Sequence, residues 1–186
     1  MPRNALQRNS IHLDEYALRV LTEDEISTLS SFDCGNDDLN DFFRNESLPH
    51  REQLMAETYV FEEEDEVVAL ISFSNDAVEL SKSVRRRLLP HEMRSYTSIP
   101  AVKIARFGVL RDHQGRGIGS LVINFCKKLF ITSNRTGCRW ITVDAYNSDD
   151  VLRFYQDQRF DFLSNKDAEK PTRIMWCDLK KVDIRD

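Results

Sequence analysis

The stretch FGVLRDHQGRGIGSLV, Phe107–Val122, holds three of the chain's six glycines within five residues. β-forming residues (AVKIARFGVL) precede it, and Ile118, Leu121, Val122, Phe125 and Leu129 recur after it at helical spacing. The chain must therefore pass from a strand to a helix through Gly115, Gly117 and Gly119. At such a junction successive backbone N–H groups can converge, and the helix start carries about half a positive charge. Missing side chains let an anion approach the backbone closely, so a phosphate or pyrophosphate is the natural ligand. A tight strand-to-helix turn is the plainer reading, and the glycines alone do not separate the two. Two phosphate motifs fail here. A P-loop needs Gly-Lys-Ser/Thr, and no lysine stands in the cluster; a dinucleotide fingerprint read from Gly115 needs glycine where Ser120 stands.

The 186 residues suit one domain, 1–186, because no repeat, low-complexity block or Pro/Gly-rich linker divides them. Residues 1–12 read as a loose arm. YALRVL (Tyr16–Leu21) is a first strand, and NDDLNDFFRNESL a helix capped by Asn36 or Asp37. TYVFEEEDEVVALISFS is a hairpin whose Glu62–Glu66 run is a solvated tip. LSKSVRRRLLPHEM is a short helix ended by Pro90, carrying Lys82, Arg85, Arg86 and Arg87, with Arg94 beyond it. WITVDA is a strand and NSDDVLRFYQ a helix, with Asn147 as N-cap and Asp150 completing an imperfect capping box. RFDFL and RIMWCDL close the chain as strands. Strands interleaved with helices make a mixed α/β domain.

Composition narrows the function classes. Net charge is −5, which leans away from nucleic acid, although the Lys82–Arg94 cluster could form a local basic patch. No apolar run approaches the roughly 18 residues of a membrane span, and the polar start lacks a signal-peptide core, so a cytoplasmic protein is expected. Cys34, Cys126, Cys138 and Cys177 are scattered without a CxxC pair; buried free thiols and no metal site are expected. Cys126 lies on or beside the apolar face of its helix, which disfavours an acyl-cysteine role.

Gln114-Gly115-Arg116-Gly117-Ile118-Gly119 fits Gln/Arg-x-x-Gly-x-Gly. Some 30 residues on comes Asn147…Phe154-Tyr155…Phe160, and far upstream FDCGNDDLNDFFRNES. In this order and spacing the three segments resemble the GNAT family (GCN5-related N-acetyltransferases), in a branch that includes toxins acetylating aminoacyl-tRNA. The resemblance implies a GNAT fold: a central mixed, mostly antiparallel sheet of six to seven strands with a splayed central pair, flanked by helices. It implies acetyl-CoA as cosubstrate and an amine as acceptor. Backbone groups of Phe107 and Val109, around Gly108, would bond the pantetheine arm. The N–H groups of Gly115, Arg116, Gly117, Ile118, Gly119 and Ser120 would receive the pyrophosphate, with Gln114 and Arg116 flanking. Asn147 would contact the cofactor or fix the following helix.

Tyr155 matches the family's general acid towards the leaving sulfur, a role suited to a phenol that stays protonated at pH 7. Without the motif it reads as a core tyrosine, since Val151, Leu152 and Tyr155 share a face. Glu57, Asp144 and Glu79 are candidate bases by position only. Arg159 stands where the family commonly has glycine. If that position needs φ > 0, arginine adds strain of roughly 1 kcal/mol or more; otherwise the turn is rebuilt. The leading expectation is transfer to a primary amine of a small molecule or protein. The alternatives are a toxin acting on the amino group of aminoacyl-tRNA and a non-catalytic acetyl-CoA-binding module. A homodimer is compatible with all three.

Overall fold

The computed structural model describes residues 11–13, 16–134 and 137–182. Eight strands are defined: β1 (Ile11–Leu13), β2 (Tyr16–Val20), β3 (Glu57–Glu63), β4 (Glu66–Glu79), β5 (Ser98–Val109), β6 (Trp140–Tyr146), β7 (Asp161–Phe162) and β8 (Thr172–Asp178). The expected six to seven strands are exceeded by the three-residue β1 and the two-residue β7. Positions 11 and 12, expected in a loose arm, belong to β1; the rest of that arm lies outside the described residues.

Packing divides the chain into two units. One holds the chain up to Ser72 together with Arg106–Val122; the other holds Phe73–Ala105 and the chain from Ile123 on. β4 and β5 run through both.

In the first unit the strand order is β1-β2-β3-β4-β5. β3 and β4 form the expected hairpin, and its two turn residues, Glu64 (φ 48°) and Asp65 (φ 67°), both take positive φ. This is the primed two-residue turn whose twist matches paired strands, built here without glycine. Its acidic tip is not merely solvated: Glu62 pairs with Arg19, while Glu63 and Glu66 face His113 Nε2 at 3.7 and 3.6 Å. A 3₁₀ segment, Glu23–Ser31, follows β2. The expected helix begins at Asn36, whose side chain accepts from the Leu39 N–H at 3.2 Å. It runs as α1 (Asp37–Asp41), a widened π turn (Phe42–Glu46) and α2 (Ser47–Glu52). Pro49 has no N–H to extend the ladder, and the wide turn stands just before it. Phe42 and Phe43 bury against Leu21, Leu29, Phe32, Val60 and Leu70 to make this unit's core.

In the second unit the order is β4-β5-β6-β8-β7. β6 and β8 pair antiparallel from Trp140↔Asp178 to Tyr146↔Thr172. β5 and β6 are parallel, in register from Ala101↔Trp140 to Ile104↔Val143. The parallel ladder is in register only as far as Ile104, and β5 itself continues to Val109. Three helices complete the list: α3 (Lys82–Leu88), α4 (Ile118–Thr132, shared by the two units) and α5 (Asp149–Asp157). Trp140 and Trp176 stack at 4.2 Å between centroids within a core of Val78, Leu89 and Ile99. All four cysteines are free and buried, and burial pushes the Cys126 thiol far up, so it stays protonated. No helix among the described residues is long and apolar enough to cross a membrane.

Candidate functional site

The glycine junction is a turn of alternating hand. Gly115 (φ 75°) and Gly117 (φ 87°) take positive φ, and Arg116 between them does not. Backbone alternating in this way turns successive N–H groups inward to make an anion-binding concavity. The N–H groups of Gly115, Arg116 and Gly117 have no acceptor among the described residues, and α4 begins immediately afterwards with the partial positive charge of a helix start. A Cβ added at Gly115 or Gly117 would meet nothing within 4 Å, so their backbone angles, rather than crowding by the protein, demand glycine. Gly119 lies inside the first turn of α4 beside Ile118 and Ser120. Arg116 is exposed at the rim. These residues fit a pyrophosphate: open donors, fixed partial positive charge and room for close approach.

Gln114 is differently placed. Its side-chain amide donates to Cys34 O at 2.8 Å and Val109 O at 2.9 Å, and its backbone N–H bonds Arg111 O at 3.2 Å. Both amide hydrogens are thus engaged by protein carbonyls. Gly108 is a point of close approach: a Cβ there would stand 3.0 Å from Cys34 Cβ and 3.2 Å from Phe43 Cε2. The FDCG segment therefore packs under the end of β5, a role that its sequence motif did not reveal. Asp33 Oδ1 accepts from Gly35 N–H (2.7 Å) and Asn40 Nδ2 (2.8 Å), and Asn40 Oδ1 accepts from Cys34 N–H (2.9 Å). The Gly35 N–H, with Asn40, holds the Asp33 carboxyl below its usual range. An Asp-x-Gly followed by Asn was the available signal, since Asx turns close in this way.

Tyr155 and Asn147 lie in the second unit. Tyr155 is 5% exposed on α5, edge-on to Phe154 and Phe160 with centroids at 5.1 and 5.4 Å. Burial pushes its pKa well above the ordinary phenol value, so it is a proton donor at any physiological pH. The packing suits a core tyrosine and an acid equally.

Asn147 is not the N-cap of α5. That position is Ser148, which makes no side-chain cap bond, and the expected capping box with Asp150 does not form. Asn147 Nδ2 instead donates to Ala168 O (2.9 Å) and Lys170 O (2.8 Å), and its N–H to Pro171 O. It clamps the loop before β8 and retains only its carbonyl oxygen for a ligand. The same loop is anchored by a buried pair, Arg173 Nε to Asp167 Oδ1 at 3.1 Å, with Ile174 N–H on Asp167 Oδ2 at 2.7 Å. At Arg159 the turn keeps the glycine conformation, with φ 61°.

The three candidate bases fare differently. Asp144 is ion-paired with Lys103, and Glu79 is exposed. Burial pushes the Glu57 carboxyl up, with Arg51 Nε at 3.1 Å opposing. Among the described residues no group of three His, Cys, Asp or Glu side chains could hold a metal ion.

The profile of the acetyltransferase (GNAT) family matches residues 22–162. No curated protein sequence matches. Among solved structures the chain is similar to a mutant of KacT, at 17% identity over 90% of this chain and 96% of that one, with a TM-score of 0.72. It is similar to AtaT complexed with acetyl-methionyl-tRNAfMet, at 21% identity over 89% and 96%, TM-score 0.70. It is also similar to AtaTR bound with AcCoA, at 20% identity over 90% and 96%, TM-score 0.71. These likenesses establish the fold; the family match spans well over half of the chain. The chain belongs to the acetyltransferase (GNAT) family, acyltransferases whose donor is acetyl-CoA.

Proposed function

We propose that this enzyme transfers the acetyl group of acetyl-CoA to the α-amino group of an aminoacyl-tRNA. The observation that carries the choice of acceptor is the likeness, over nine-tenths of the chain, to AtaT complexed with acetyl-methionyl-tRNAfMet. Two features of this chain support it. First, α3 and the residues after it present Lys82, Arg86, Arg87 and Arg94 to solvent, and none of them forms an ion pair among the described residues. In a chain of net charge −5 this concentrated patch suits a phosphate backbone, where most nucleic-acid affinity originates. Second, none of the three candidate bases is both buried and unpaired: Asp144 pairs with Lys103, the half-buried Glu57 pairs with Arg51, and Glu79 is exposed. An alkylammonium of pKa near 10 is only about 0.1% neutral at pH 7, whereas an α-amine near 8 is about 10% neutral and needs far less help from a base.

In this reading the whole chain acts as one transferase domain, since β4 and β5 each run through both packing units. Phe107–Val109 hold the pantetheine arm by backbone groups, and the N–H groups from Gly115 to Ser120 receive the pyrophosphate. Tyr155 gives its proton to the departing sulfur. Asn147 holds the loop before β8 and offers its carbonyl oxygen.

The test is mass spectrometry of products formed from acetyl-CoA and a mixture of charged tRNA, peptides, amino acids and polyamines. Acetyl-aminoacyl-tRNA as the dominant product is expected. Efficient labelling of free amines or peptides, with charged tRNA untouched, would establish the second reading, a transferase for small-molecule or protein amines.

A further inference from the structure

We propose that Gln114 and the Asp33–Asn40 turn form a brace that positions the end of β5 for the pantetheine arm, without touching the pyrophosphate. This inference rests on the reading of Phe107–Ser120 as the acetyl-CoA site.

Gln114 stands at the first position of the glycine motif, yet its chemistry there is that of a tie. Both carbons across from its amide carry carbonyl oxygens, Cys34 O and Val109 O, so the nitrogen must face them. Its two hydrogens are then committed. What remains is Oε1, an acceptor, which repels a phosphate oxygen rather than binding it. The side chain spans 80 residues of sequence, joining the FDCG turn to the last residue of β5.

The far end of this tie is itself fixed. Asp33 and Asn40 close the turn through three hydrogen bonds of 2.7–2.9 Å. Arg111 returns to the same turn twice, by its N–H to Asp33 O (2.9 Å) and its guanidinium to Asp33 Oδ2 (3.2 Å). Cys34 packs on Gly108, where even a methyl group would sit 3.0 Å from its Cβ and 3.1 Å from its Sγ. One short turn thus fixes Gly108 by contact, Val109 through Gln114, and Arg111 directly. These positions run from the end of the strand that offers backbone groups to pantetheine towards the concavity that receives the pyrophosphate. A hydrogen-bonded brace of this kind acts by holding geometry, so Gln114 and Asn40 are positioning residues.

The experiment compares binding of acetyl-CoA and of acetyl-pantetheine, which lacks the pyrophosphate, to wild type, Gln114→Met and Asn40→Ala. Affinities are read by calorimetry, with competition for the weaker ligand. Gln114→Met keeps the length of the side chain and removes its donors. Both variants are expected to weaken both ligands by the same factor, about tenfold for two lost hydrogen bonds, and the double variant to be no weaker than the worse single one. If Gln114→Met weakens acetyl-CoA but not acetyl-pantetheine, Gln114 contacts the pyrophosphate and the brace is wrong. If melting temperature falls while both affinities hold, the network is structural only and the proposal also fails. A wild-type chain that binds no acetyl-CoA overturns the site reading itself, a result distinct from either.

Discussion

Arg159 offers a clean measurement of stored backbone strain. It follows α5 with φ 61°, its N–H bonded to Gln156 O at 2.8 Å and the next N–H, of Phe160, to Tyr155 O at 3.0 Å. That is the left-handed residue that closes a helix and returns the chain, a position glycine fills without penalty. An L-residue there costs about 1–2 kcal/mol. Glycine gives back about 0.4–1 kcal/mol through its freer unfolded chain. The net expectation for Arg159→Gly is a gain of about 0.5–1 kcal/mol. For a chain of this length that raises the melting temperature by about 1–4 °C.

The side chain must be separated from the backbone, because Arg159 is a cation near the buried Lys127, whose ammonium is destabilised by burial and by that charge. Arg159→Ala removes the charge and keeps the strain. Glycine is therefore expected to exceed alanine in stability by about 0.5–1 kcal/mol in urea melts with unchanged slope. Alanine equal to or more stable than glycine would refute the strained turn, whatever either does relative to arginine. Neither outcome depends on knowing the acceptor.

Tyr155→Phe should lower kcat by about 10²-fold or more while leaving acetyl-CoA affinity unchanged, checked by steady-state kinetics beside calorimetry. Because burial raises its pKa, the wild-type rate should show no Tyr155 limb below about pH 10. Gly117→Ala forces a Cβ onto φ 87° with nothing nearby to clash, so about 1 kcal/mol of stability should be lost, with weaker acetyl-CoA binding, read by melts and titration. Burial pushes the Asp167 carboxyl up, but the Ile174 N–H and Arg173 outweigh it and hold the pKa below its usual value. Its contribution is then complete above the unfolded value near 4 and lost as pH falls through the lower folded value. Asp167→Asn should cost about 2 kcal/mol at pH 7 and flatten the acid limb of the stability curve.

The difference between what was legible in the sequence and what was not follows the range of the interaction. The strand before Gly115, the helix after Gly117 and the basic α3 with its Pro90 stop each depend on neighbours a few residues away, and each reads directly. The Arg159 alternative was also posed correctly by local chemistry, but choosing between strain and a rebuilt turn needed φ itself. Asn147 shows the opposite case. Its spacing before α5 looked like a cap, yet its amide is claimed by carbonyls 21 and 23 residues onward, and the cap passes to Ser148. Asp167 and Arg173 looked like members of a polar loop; their pairing and burial arise only when β8 returns beside β6.

The same reasoning explains why the FDCG segment could be matched as a motif but not understood. Its Asx turn is local, whereas its purpose lies across 80 residues, at Gln114 and Gly108. A turn that exposes its carbonyl at Cys34 and its small side chain to a glycine in β5 restricts three partners at once: glycine at 108, an amide donor at 114 and a cation at 111. Such a constraint is weak at every single position and strong in the set. A lone substitution among them should therefore release the brace as a unit, and a second should add little to the first. Non-additivity between Asn40 and Gln114 is thus the signature that distinguishes one brace from two unrelated hydrogen bonds.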